Sequence, residues 1–94
     1  MAEVDVQGSP TSSGWRFAVT VREGSSQTEH EVTLGREAYD ALSGGIVPPE
    51  ALVREAFRFL LEREPKEAIL RRFDLPVIGR YFPEFEAEMR RRLA

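Results

Sequence analysis

Residues 48–63 read Pro48-Pro49-Glu50-Ala51-Leu52-Val53-Arg54-Glu55-Ala56-Phe57-Arg58-Phe59-Leu60-Leu61-Glu62-Arg63, and this pattern decides how the rest of the chain is arranged. Val53, Ala56, Phe57, Leu60 and Leu61 recur at i, i+3, i+4, i+7 and i+8, the spacing of one helix face. Leu52 and Phe59 widen the stripe on both sides, leaving a thin charged seam at Glu50, Arg54, Arg58 and Glu62. A helix apolar around so much of its circumference needs cover from more than one neighbour. The spacing therefore predicts that this helix is the centre of the fold. Pro49 suits its first turn, where a backbone amide has no helical partner anyway.

Upstream, Ser43-Gly44-Gly45 ends a shorter predicted helix, Gly35–Leu42, because glycine takes the left-handed cap conformation without steric cost. Before it, Trp15, Phe17, Val19 and Val21 alternate with Arg16, Ala18, Thr20 and Arg22. Thr28, His30, Val32 and Leu34 alternate in the same way with Glu29, Glu31 and Thr33. Period two marks strands with one buried face. The intervening Gly24-Ser25 fits a two-residue type II′ turn, which wants glycine first, with a looser turn over Gly24–Gln27 as the alternative. The two-residue turn pairs Val21 with Thr28, Val19 with His30, Phe17 with Val32 and Trp15 with Leu34, so all four pairs share one face. A two-stranded ribbon leaves both outer edges unpaired, and an open edge must be covered, charged or used. Residues 1–13, rich in Gly, Ser, Pro and Thr without periodicity, are expected to be a disordered tail, with a short segment that orders on a partner as the alternative. The expected domain is then 14–94.

Downstream, Glu64-Pro65 breaks the main helix, and Ala68, Ile69 and Phe73 predict another helical turn or two. Asp74 is expected to cap a following amide, ahead of Leu75, Ile78 and Phe82 at i, i+3 and i+7. Pro83 opens a last helix with Phe85, Met89 and Leu93 at four-residue steps. Its acids come first and its bases last, as the helix dipole favours, and Glu86–Arg90 and Glu88–Arg92 are i, i+4 pairs. The expected fold class is α+β: an N-terminal two-stranded antiparallel β-hairpin packed on a small bundle of four to five helical segments.

The 94 residues are one domain's length. The absence of cysteine excludes a disulfide framework and a thiolate metal site. The net charge is −3. Residues 1–46 carry three bases against seven acids, and residues 47–94 carry ten against nine. Neither half has the basic footprint of a nucleic-acid binder. No apolar run approaches a membrane span, and the acidic N-terminus is not a signal peptide, so the expected location is cytoplasmic.

Chemistry-bearing patterns are sparse. His30 is the single histidine, and without cysteine it cannot make a zinc site unless several carboxylates join it; on the apolar face it reads as a core residue with a bonded ring nitrogen. The serines fall in turns and in the expected tail, with no nucleophile or phosphate-loop pattern. No catalytic, metal-binding or cofactor-binding residue is assigned, and no cofactor is expected. Tyr81, Phe82 and Phe85 cluster about Pro83, where a ring left exposed would be a contact hot spot. Arg90, Arg91 and Arg92 form a basic run. These six residues are the candidate partner contacts.

Residues 28–64 resemble a ribbon-helix-helix module: a strand at Glu29–Leu34, a short helix at Gly35–Leu42 and a second helix at Glu50–Glu64. The resemblance implies a dimer formed through paired strands, with Glu29, Glu31 and Thr33 as the outward residues that would read DNA. Two carboxylates at those positions repel phosphate. The run Arg71–Pro83 looks like one in small uncharacterised bacterial proteins, which implies a bacterial source and no particular activity. The expected function is a small non-enzymatic protein-interaction or regulatory domain, self-associating as a homodimer, with a protein partner. The alternative is a ribbon-helix-helix-type DNA-binding regulator, and an enzyme is the third reading.

Overall fold

The computed structural model describes residues 2–94. Three strands come first: β1 (Glu3–Pro10), β2 (Gly14–Glu23) and β3 (Ser26–Gly35). Two helices follow, α1 (Arg36–Ser43) and α2 (Pro49–Leu61). A 3-10 turn at Lys66–Ala68 leads into a three-residue strand, β4 (Arg72–Asp74). A second 3-10 turn at Leu75–Val77 precedes α3 (Ile78–Tyr81) and α4 (Phe85–Leu93). The sheet order is β1-β2-β3-β4, antiparallel except for the parallel pair β3–β4.

The α+β class is as expected, but the two-stranded hairpin is not the sheet. Residues 3–10, expected in the tail, form an edge strand in continuous register with β2, from Glu3–Arg22 to Pro10–Trp15. Val4 and Val6 are half-buried against the core. The tail-like composition misleads because Gly8, the next inward position, carries no side chain: the ring of Phe17 lies there instead. The fourth strand replaces part of the helix expected over Ala68–Phe73. Phe73 faces the core from β4, opposite Val32. Asp74 caps nothing; its Oδ1 accepts from Thr33 Oγ1 at 2.7 Å.

The β2–β3 ribbon has the expected register, with Val21–Thr28, Val19–His30, Phe17–Val32 and Trp15–Leu34 paired. Gly24 has φ 62° and, among the described residues, no non-glycine residue has positive φ, which matches a II′ turn with glycine first. Even-numbered β3 residues and odd-numbered β2 residues point to the helices. Leu52, Val53, Ala56, Phe57, Phe59 and Leu60 of α2 are all buried, so the central helix is enclosed on most sides. Phe57 meets His30 and Phe73, at ring-centroid distances of 5.3 and 6.0 Å. On the opposite flank Phe59 meets Phe82 and Phe85 edge-on, at 5.9 and 5.2 Å. One broad apolar helix is thus covered by the sheet on one side and by the C-terminal segments on the other.

The other face of the sheet is polar. Arg22 bonds Asp5 across β1–β2, and Glu31 lies between Arg16 (3.7 Å) and Arg72 (3.9 Å). Lys66 is an unexpected member of the interior. Its Nζ reaches Glu67 at 2.7 Å and Glu23 at 3.6 Å, and the bond to Glu67 raises its pKa. It fastens the 3-10 turn to the end of β2.

Candidate protein-interaction site

The end of α2, the 3-10 turn, β4 and α3 converge on an apolar groove of about 320 Å³. Leu60, Phe73 and Ile78 form its buried floor, and Leu70, Tyr81 and Phe82 stand at its rim. α2 ends at Leu61, Pro65 caps the first 3-10 turn and Pro76 is the second residue of the next. Those two breaks fold the chain back on itself and leave the groove between them. Leu70 remains 45% exposed and Tyr81 66%, so the rim offers two large apolar side chains to a neighbour.

One carboxylate shares this setting. Glu64 lines the groove, half-buried, and loss of solvation raises its pKa above the usual value. The cations beside it are engaged elsewhere. Arg63 bonds Glu84 and Glu62, each at 3.2 Å, with its guanidinium 3.6 Å from the Phe59 ring centroid, and Lys66 is held by Glu67 and Glu23. An acidic group on an apolar wall favours a ligand that brings its own positive charge.

The six sequence-predicted contacts do not form one patch. Tyr81 and Phe82 meet at the groove. Phe85 is fully buried in the core on Phe59. The arginines are spent within the chain. Arg92 reaches Glu62 at 2.6 Å, Glu88 at 3.0 Å and Glu55 at 3.1 Å. Arg90 bonds Glu86 at 2.6 Å and the carbonyl of Ala41 at 3.2 Å, and Arg91 bonds Glu88. The expected i, i+4 pairs Glu86–Arg90 and Glu88–Arg92 are among these contacts. Leu70 and Glu64 were not anticipated from the sequence, since each matters only where β4 and α3 flank the end of α2.

His30 lies under the sheet with both ring nitrogens engaged. Nδ1 is 2.7 Å from the Leu70 carbonyl, a pure acceptor, so Nδ1 donates there and Nε2 accepts from Thr28 Oγ1 at 2.8 Å. Burial lowers its pKa, the backbone bond opposes that, and Arg71 lowers it further. A neutral imidazole with both nitrogens occupied is placed as a structural bridge between β3 and the segment before β4. Glu29, Glu31 and Thr33 lie on the polar sheet face. Their strand is hydrogen-bonded to β2 along its length and to β4 at Glu31–Thr33. Among the described residues, no group of three His, Asp or Glu is placed to hold a metal ion, and no helix is long and apolar enough to cross a membrane.

No protein-family model, no curated protein and no solved structure matches this chain.

Proposed function

We propose that this chain is a small non-enzymatic protein-interaction domain that also associates with its own copies, and that its groove binds an apolar peptide segment carrying a lysine or arginine. The observation that carries this reading is the pairing of an exposed apolar rim, Leu70 and Tyr81, with the partly desolvated Glu64. The rim supplies burial on binding, and Glu64 supplies orientation through one charge-assisted hydrogen bond. The reading as non-enzymatic is supported by His30, whose ring nitrogens are both committed to the fold.

Selection from a displayed library of short linear peptides tests it. The expected winners combine two or more large apolar residues with one basic residue. Tyr81→Lys abolishes their binding, and Glu64→Gln weakens them about tenfold, the value of one charged hydrogen bond. Winners without a basic residue, or winners indifferent to Tyr81→Lys, overturn the assignment of the groove.

A further inference from the structure

We propose that two copies of this chain join through the free edge of β1, paired antiparallel about a two-fold axis at Val6, so that two sheets become one. This rests on the self-association part of the reading above and names its surface.

The edge's chemistry follows from the register. Thr11 N–H donates to the Gly14 carbonyl at 2.8 Å, so Thr11–Gly14 is a hydrogen-bonded pair. Such pairs alternate along an antiparallel ladder. Ser9–Arg16, Gln7–Ala18, Asp5–Thr20 and Glu3–Arg22 are therefore the hydrogen-bonded pairs of β1 and β2. The N–H and C=O groups of Val4, Val6 and Gly8 consequently point away from β2. Among the described residues, β1 pairs with no other strand.

Edge strands are ordinarily guarded by lysine, a proline within the strand, a bulge, an inward charge, shortness, or a helix or loop laid over them. β1 is eight residues long, its pairing has no bulge, its inward positions are Val4, Val6 and Gly8, and its proline comes last. The opposite edge is three-residue β4 and the part of β3 before Glu31 that β4 does not reach. β1 builds none of these guards into its own sequence, and α2 packs on its inward side, where Val4 and Val6 are half-buried.

Its side chains then choose one self-pairing. A two-fold axis at Asp5 would oppose Asp5 with the second copy's Asp5, which is unfavourable. An axis at Gln7 would set Val4 against Pro10 inside the ladder, leaving the Val4 carbonyl without a donor, whereas an axis at Val6 moves Pro10 opposite Ala2, before the strand begins. An axis at Val6 sets Val6 against Val6, Val4 against Gly8, Asp5 against Gln7 and Glu3 against Ser9. No two acids face each other, each carboxylate meets a donor, and the three outward residues form about six main-chain hydrogen bonds between the copies. Asp5 is already neutralised by Arg22 on its own chain.

The chain has no cysteine, so single substitutions read the register directly. Val6→Cys, Asp5→Cys and Gln7→Cys each place a thiol on one of the three axes, and opposed strand residues lie within disulfide reach. Sedimentation of the unaltered chain over a concentration series is expected to show a dimer, and mild oxidation is expected to give a covalent dimer for Val6→Cys alone. Val6→Pro removes an outward N–H and trades a half-buried valine side chain for a proline ring, and it leaves the hydrogen bonds of β1 to β2 intact. It is expected to keep the far-ultraviolet spectrum and weaken the dimer at least about tenfold. A chain that stays monomeric at every concentration overturns this proposal and self-association together. A dimer with no Val6→Cys cross-link overturns the edge pairing while self-association stands; if Val6→Pro fails to fold, the cysteine panel decides alone.

Discussion

The ring of Phe17 fills the space into which a side chain on Gly8 would project: a Cβ built there falls 2.6 Å from Phe17 Cδ1, and the two residues oppose each other on β2 and β1. Phe17 is fully buried, so its ring has nowhere to go. Gly8→Ala is therefore expected to cost about 1–3 kcal/mol, the range for overpacking. Urea unfolding measures it, and a neutral result would show that β1 lifts freely from β2.

Phe59 ties α2 to the C-terminal segments through Phe82 and Phe85, with Arg63 over its ring. Phe59→Ala removes that joint from a fully buried position. The expected loss is about 3–5 kcal/mol. Denaturant unfolding, read by the midpoint at unchanged slope, checks the figure.

Acid acts on His30 first. Its folded pKa lies below the ordinary 6.5, so the unfolded chain takes up the proton more readily. The contribution of this group is fully present above pH 6.5 and is lost as pH falls through the lowered folded value. Stability is expected to drop between about pH 7 and pH 5, and His30→Gln should flatten that slope. Thermal melts across the window decide the point.

A second acid effect lies lower. Arg91 and Arg92 hold the Glu88 carboxyl at about 2, against an ordinary 4.5. Its contribution is fully present above 4.5 and is lost as pH falls from there toward about 2. Arg92→Met would leave Glu55, Glu62 and Glu88 without their shared cation. The expected loss of stability is smaller than for Phe59→Ala and shrinks as salt is added, because these carboxylates touch solvent. Melts in low and high salt measure both.

What could be read from the chain alone is what periodicity records. The β2–β3 register followed from a strict two-residue alternation and one turn glycine. The central helix followed from a wide apolar stripe. Gly44, with φ 68°, takes the left-handed cap position expected of it. β1 escaped because its third inward position is supplied by Phe17 from the neighbouring strand, so only Val4 and Val6 were left to carry the pattern. β4 escaped because three residues cannot display a period, and Ile69 with Phe73 happen to stand four apart as on a helix. Tyr81 and Phe82 were legible as an aromatic cluster at a bend. Phe85 looked the same in sequence, yet the turn at Pro83 sends it inward. The arginine run was legible as an exposed helix end, and Arg90 and Arg91 are exposed; the reach of Arg92 to Glu55 and Glu62 was not, because no local pattern reveals those spacings.

The brevity of β4 limits what an added strand could gain on that side of the sheet. If β1 is consumed where two copies meet, the remaining borders are three-residue β4 and the short part of β3 that β4 does not reach, each too short to template another molecule. Growth into fibres would then be capped at two, and the unguarded border on the opposite side becomes safe to keep.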